Sequence, residues 1–276
     1  MRMSRFCLSL AIVALGAAAA GTARAADPST TTSVPTKAPS GIADRLFLSF
    51  AQDAAIVPSQ WWEGQIEYDD RAPNFPVNAF IGRAVVAFQP WKNIEIGGRV
   101  GLGNTSANDD LPSGTGATDL DAYAKYYFGN ALDHTDFTAG LLLTIPTGDD
   151  HSGLGFNSFA EQIFGGVRYR LDNALIGGHV GLRLNGNGSF QGVDLTGKTS
   201  FELAGNVVIQ TSKTVGVVGE IRVDTERFDG QDSIVEALAG VNWKAFGRGM
   251  IRAALGGGLT DAAPNFRVIA SYAYTF

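Results

Sequence analysis

The chain has 276 residues, of which 45% are hydrophobic and 35 are glycine, and a formal charge of −6. An acidic chain without a basic patch has no electrostatic hold on nucleic acid. Beyond a short N-terminal run, no apolar stretch approaches the roughly twenty residues that a spanning helix needs. Segments that give only alternate residues to an apolar phase can still hide this much hydrophobic surface.

The N-terminus reads as an export signal. Arg2 and Arg5 precede an apolar run from Phe6 to Ala20, and Ala23-Arg24-Ala25 offers the small residues that a signal peptidase reads. The run is too short and too weakly flanked for a stable membrane anchor. Residues 1–25 are therefore predicted to be removed before Ala26. Cleavage takes away Arg2, Arg5 and Arg24 and no acid, so the charge moves from −6 to −9. It also takes Cys7, the single cysteine, which excludes disulfides and thiolate metal sites from the mature chain.

Residues 26–60 form the predicted leader. Its first part, 26–41 (ADPSTTTSVPTKAPSG), is rich in Thr, Ser and Pro and cannot bury enough surface to hold a fold. Residues 42–57 carry two periods at once. Leu46, Leu48 and Phe50 alternate as in a strand, whereas Ile42, Leu46, Phe50 and Ala54 fall at helical spacing. The segment reads as a short helix or strand under or inside the strand-rich region 61–276, and its apolar character makes it a candidate gate.

From residue 61 to 276 the chain divides into twelve strand-length segments: 61–69, 76–89, 93–104, 118–129, 136–145, 156–170, 174–186, 199–211, 214–225, 233–244, 248–260 and 265–276. The separators after even-numbered segments are tight, such as Pro90-Trp91-Lys92, Asp172-Asn173 and Ser212-Lys213. Most after odd-numbered ones are longer and rich in Gly, Asp and Ser, notably Thr105 to Ala117, Pro146 to Gly155 and Asn187 to Lys198. Each segment has one apolar and one polar face. Leu120, Ala122, Ala124, Tyr126 and Phe128 oppose Asp119, Asp121, Tyr123, Lys125 and Tyr127, and Val215, Val217, Gly219, Ile221 and Val223 oppose Glu220, Arg222 and Asp224. The expectation is an all-β, transmembrane, antiparallel up-and-down barrel of about 12 strands, with short periplasmic turns and long external loops. A soluble sandwich would also alternate, but its apolar faces would not end in girdle aromatics such as Trp62, Tyr68, Tyr126, Trp243, Tyr272 and Tyr274.

The last segment (NFRVIASYAYTF) sets Phe266, Val268, Ala270, Tyr272, Tyr274 and Phe276 on one face. It resembles the terminal strand by which bacterial outer-membrane barrels are handed to their assembly machinery, with Tyr272, Tyr274 and Phe276 as the signal. Integral outer-membrane localisation, contact with outer-membrane lipid and lipopolysaccharide, and a barrel-assembly partner are the expectations this carries.

The polar faces collect nine acids (Glu63, Glu67, Glu95, Asp119, Asp121, Glu202, Glu220, Asp224, Glu236) and nine bases (Arg83, Arg99, Lys125, Arg168, Arg170, Arg183, Arg222, Arg252, Arg267), with His179 among them. These residues are predicted to line a lumen in which opposite charges pair, because an unpaired enclosed charge is costly. Balanced pairs suit polar or weakly polar solutes, whereas a ladder of like charges would select ions. Strand glycines such as Gly97, Gly98, Gly101, Gly103 and Gly256 to Gly258 are read as permitting curvature and thinning the wall.

Catalytic constellations are sparse. Asp149-Asp150-His151 resembles the external Asp/His arrangement of omptin proteases, but the second acidic pair is unplaced unless Asp109-Asp110 supplies it. His179 points inward, away from the wall position a phospholipase dyad needs, and His134 sits in a predicted periplasmic turn. Gly101-Leu102-Gly103 lacks the helix a nucleotide site requires. The external acids, Asp109, Asp110, Asp149, Asp150, Asp194, Asp229, Asp232 and Asp261, could meet divalent cations at a lipopolysaccharide surface, but no spacing among them defines a metal site. No catalytic residue, cofactor or metal is assigned.

Three stretches, Thr118 to Phe128 (TDLDAYAKYYF), Leu141 to Asp149 (LLLTIPTGD) followed by Gly153-Leu154-Gly155, and Gly257 to Phe276, resemble a family of outer-membrane transporters associated with the meta-pathway of phenol degradation. The resemblance implies uptake of small organic, including aromatic, compounds. It transfers no substrate residue. Two functions stand: a channel for such solutes, or a closed barrel serving structure or surface binding.

Overall fold

The computed structural model describes residues 49–276 apart from 51, 58, 71–76 and 108–112. The predicted signal and the leader up to residue 48 lie outside the described residues. The chain divides into residues 1–36 and residues 37–276, and the described residues all belong to the second unit.

Among the described residues there is no helix. The strands are β1 (Trp61–Asp70), β2 (Val77–Trp91), β3 (Ile94–Ala107), β4 (Gly114–Ala117), β5 (Leu120–Leu132), β6 (Thr135–Ile145), β7 (Ala160–Arg170), β8 (Ala174–Asn185), β9 (Gly188–Phe190), β10 (Val193–Leu195), β11 (Thr199–Gln210), β12 (Val215–Asp224), β13 (Ile234–Ala245), β14 (Gly249–Gly258) and β15 (Phe266–Thr275). All but β4, β9 and β10 form a closed antiparallel barrel of twelve strands in up-and-down order. Closure is continuous from Trp61↔Thr275 to Asp70↔Phe266, so neither β1 nor β15 leaves an open edge. The twelve predicted segments coincide with these twelve strands, with ends that differ by four residues or fewer.

The differences lie at the long-loop end. Residues 105–117 and 187–198 read as loops, yet β4 adds to β3 from Leu102↔Ala117 to Thr105↔Gly114, and β9 and β10 form a hairpin. These strands are three or four residues long, too short to show a period, and they exist through pairing rather than composition. The other end has tight turns between β2 and β3, β5 and β6, β7 and β8, β11 and β12, and β13 and β14. Asn93, His134 and Phe246 in these turns take positive φ. Asn tolerates that conformation readily, whereas it is uncommon for a bulky residue such as Phe.

Side chains alternate across the wall. Ile66, Phe80, Leu102, Ile163, Val180, Phe201 and Leu255 are exposed on the outside. Aromatic residues gather on the same face toward the tight-turn end, where the Trp62 ring meets Tyr272 at 5.7 Å, Tyr126 meets Phe128 at 5.0 Å and Tyr274 meets Phe276 at 5.6 Å. Tyr68 lies apart from these, on the half of β1 nearer the long loops.

The inside is packed. Glycine sets that packing where a large side chain crosses to the next strand. A Cβ on Gly97 would stand 2.5 Å from the Tyr123 ring. Its absence lets the Tyr123 hydroxyl donate to Glu95 at 2.9 Å. The glycine therefore has a more local task than curvature, because it accommodates its cross-strand partner (Gly97↔Tyr123). Gly97→Val is expected to destabilise the barrel by about 1–3 kcal/mol, the usual cost of overpacking. Urea unfolding in detergent micelles checks this, and an unchanged midpoint would refute it.

Candidate functional site: the charged interior and the segment it holds

The barrel wall positions its inward charges by register, and most meet a partner across one ladder. Glu95 and Lys125 are cross-strand partners 3.2 Å apart with fully buried side chains. Arg99 donates to Asp121 at 2.5 Å, and Arg83 donates to Glu67. Arg267 lies 2.6 Å from Asp69 and 2.9 Å from Glu236, and Arg222 lies 3.1 Å from Glu236. Arg168 and Arg170 both donate to Asp136 at 2.7 Å. Arg252 reaches Glu220 at 2.7 Å, spanning the intervening β13. His179 Nε2 lies 3.4 Å from Glu202, and its ring stacks on Phe164 at 5.4 Å. Asp119 accepts the backbone N–H groups of Gly148 and Phe156.

Four of the singled-out residues, Glu63, Asp119, Arg183 and Asp224, have no ion pair among the described residues. Glu63 and Asp224 are buried against the interior space, and Arg183 donates to Gln162 at 2.9 Å. Three acids of the network escaped the sequence reading. Asp69 and Asp136 share the inward parity of Glu67 and Thr138 and could have been found by counting in twos. Asp53 precedes the barrel altogether.

Asp53 belongs to a segment, described at residues 49, 50 and 52–57, which runs without strand or helix inside the barrel, on the side of its middle nearer the tight turns. Neither regular structure anticipated for residues 42–57 is present in this part, and residues 42–48 lie outside the described residues. The reason is visible in its hydrogen bonds, which go to wall side chains instead of to a neighbouring backbone. Glu220 accepts the N–H groups of Ser49 (2.8 Å) and Phe50 (3.2 Å), and Glu95 accepts that of Val57 (3.1 Å). Lys125 donates to the carbonyls of Asp53 (3.0 Å) and Ala55 (2.8 Å). Arg168 donates to the Asp53 carboxylate at 3.0 Å, and Arg252 to the Ser49 hydroxyl at 2.5 Å. Phe50 enters an apolar cluster with Ala204, Leu238, Ala254 and Ile269, and Val57 enters another with Trp61, Tyr123, Leu142 and Phe164.

Burying Phe50 and Val57 contributes about 1.5–3 kcal/mol each. Each hydrogen bond to a charged group adds about 1.5–3 kcal/mol. Since those bonds outnumber the two apolar anchors, polar contacts dominate the hold on the segment. Open space begins against this segment and continues toward the long loops. Two adjoining cavities of about 260 and 270 Å³ share Arg83, Arg99, Asp121, Arg183 and Arg227 on their walls.

No family model matches the chain, and no curated protein matches it in sequence. Solved structures do match. The COG4313 outer membrane channel from Pseudomonas putida F1 superposes with a TM-score of 0.67 at 15% identity, over 83% of this chain and 100% of that one. The KdgM porin in complex with disordered oligogalacturonate gives 0.55 at 10% identity, over 78% and 99%. The NanC porin gives 0.53 at 8% identity, over 79% and 100%. The fold is the outer-membrane barrel. At these identities the likeness concerns architecture, and the neighbours that share it are channels and porins.

Three of the external acids, Asp149, Asp150 and Asp229, are engaged locally. Asp149 accepts from Ser152 at 2.7 Å and Asp150 from Ser189 at 2.5 Å, so both tie down the loop that carries His151. Asp229 meets Lys198 at 3.3 Å. Asp109 and Asp110 lie outside the described residues.

Asp53→Ala removes one contact of Arg168 and leaves Asp136 in place, so the wall should stay intact while the segment loosens. Amide exchange across residues 49–57 is expected to quicken roughly thirtyfold, for a loss of about 2 kcal/mol. Hydrogen-exchange mass spectrometry checks this, and protection equal to the parent would refute it.

Proposed function

We propose that the chain is an integral outer-membrane channel for small organic solutes, gated by the segment inside its bore. The observation that carries this is the unequal filling of the interior. A non-strand segment tied by side chains lies toward the tight turns, and adjoining cavities run from that segment, which lines one of them, toward the long loops, walled in part by arginines and aspartates. A plug without ladder pairing can leave without breaking the wall. A barrel built only to be closed would need no such space.

The predicted export signal and the outward apolar band with its aromatic rim support the location. So does the terminal strand with Tyr272, Tyr274 and Phe276, which would engage the assembly machinery. The inward charges then act as the lumen lining, with pairs that keep the bore polar without a net field. The resemblance to transporters of the phenol meta-pathway supports small organic, including aromatic, solutes.

In planar bilayers the parent chain is expected to conduct weakly, and removal of residues 26–57 should raise conductance at least severalfold. Equal conductance would refute the gate. Silence in both forms would refute the channel and leave the closed, surface-binding barrel.

A further inference from the structure

The cavity nearer the long loops has four arginines and three aspartates, Asp119, Asp121 and Asp232, on its wall. Of the four arginines on its wall, Arg83 and Arg99 have carboxylate partners, Glu67 and Asp121. Arg183 and Arg227 have no carboxylate within ion-pairing distance among the described residues, and the Nε of each is buried with no hydrogen-bond partner. Glu202 and Asp224 line the adjoining cavity, where they face one another across β11 and β12 and remain outside that distance. Asp119, on the same wall as these two arginines, is occupied by two backbone N–H groups.

Arg227 sits in the loop between β12 and β13. Burial, with Arg183 adding to it, pulls its guanidinium down to about 10, so it stays charged at neutral pH. An enclosed cation without a partner is costly to keep and gains most from an anion brought to it.

The wall beside Arg227 is aromatic. Phe156 stacks on Phe190 at 5.1 Å and leans on Phe228 at 5.3 Å, and Arg227 lies over Phe156 at 5.4 Å. The β9–β10 hairpin delivers Phe190, so the short strands that periodicity could not reveal help to build this wall. A cavity of about 260 Å³ falls just under the roughly 300–1,000 Å³ of drug-sized sites, which limits it to a single-ring ligand. Guanidinium groups match a carboxylate geometrically as well as electrostatically, and ring faces accept another ring in offset or edge-on contact.

We propose that this chamber binds a small aromatic carboxylate, with its carboxylate between Arg183 and Arg227 and its ring against Phe156 and Phe190. The inference rests on the channel reading and narrows its solute to an ionised aromatic acid.

The test is calorimetric titration of the folded full-length mature chain in detergent, with partition into empty micelles subtracted. The probes are benzoate, benzyl alcohol (the ring without the charge) and acetate (the charge without the ring). Benzoate is expected to bind saturably and at least tenfold more tightly than either of the others. The R183Q/R227Q double variant should bring it down to the level of benzyl alcohol. R227K should keep part of the affinity, and F156A should weaken benzoate while leaving acetate unchanged. R227Q alone, altered in a loop outside the barrel wall, repeats the test if the double variant fails to fold.

Equal binding of benzoate and benzyl alcohol would overturn the proposal, as would undiminished benzoate binding in the arginine variants. Equilibrium binding needs no conduction. A barrel that binds benzoate yet stays silent in bilayers defeats only the channel, and one that conducts without distinguishing the probes defeats only the site.

Discussion

Enclosing charge inside a narrow closed sheet is the constraint on which the rest depends. Successive side chains of a strand project to opposite faces, so a wall that is apolar outside has its polar residues crowded inside. There, removing one partner of a buried pair costs about 3–5 kcal/mol because the other is left uncompensated. Register solves most of this directly, as Glu95 opposite Lys125, Arg99 opposite Asp121 and Asp136 opposite Arg168 illustrate. Where the wall leaves groups unsatisfied, another piece of chain completes them. Lys125 takes two carbonyls, Arg168 a second carboxylate, and Glu220 two N–H groups, all from residues 49–57. The segment is thus a structural part of the charge network, and its lack of secondary structure follows from that role.

The wall was legible in the sequence because period-two alternation is strong when one face is consistently apolar, as it is in β5, β12 and β15. What escaped detection was built by contacts between distant residues. No local pattern marks Ser49, Phe50 and Val57 as guests of carboxylates 38 to 171 positions away. The β4 strand and the β9–β10 hairpin are shorter than any readable period. Arg227 sits in a loop, where parity assigns no face, so a count confined to strands could not place it beside Arg183. Asp69 and Asp136 are a different case, since continuing the alternation by one step at the end of β1 and at the start of β6 reaches both.

Glycine usage follows from the same crowding. Gly97 beneath Tyr123, Gly140 beneath Phe164 and Gly177 beside Asn206 each leave room for a large side chain from the next strand. Composition alone suggests that glycine loosens the wall. In the assembled barrel these positions tighten it, because the space of each missing Cβ is filled by an aromatic ring or amide from the next strand. A narrow bore can then carry both an apolar cluster and a charge network without widening.

The two halves of the interior satisfy the constraint differently, and that difference carries the functional argument. Toward the tight turns, every guanidinium or ammonium named on the wall meets a carboxylate of the wall or of the inserted segment. Toward the long loops, among the described residues, no counterpart of that segment meets Arg183 and Arg227, which face space beside phenylalanines. On the proposal, a solute that brings its own negative charge would do there what Asp53 does for Arg168. On the channel reading, selectivity and gating are then one problem solved twice: a covalently attached acid occupies the inner half, and a diffusible one is admitted to the outer.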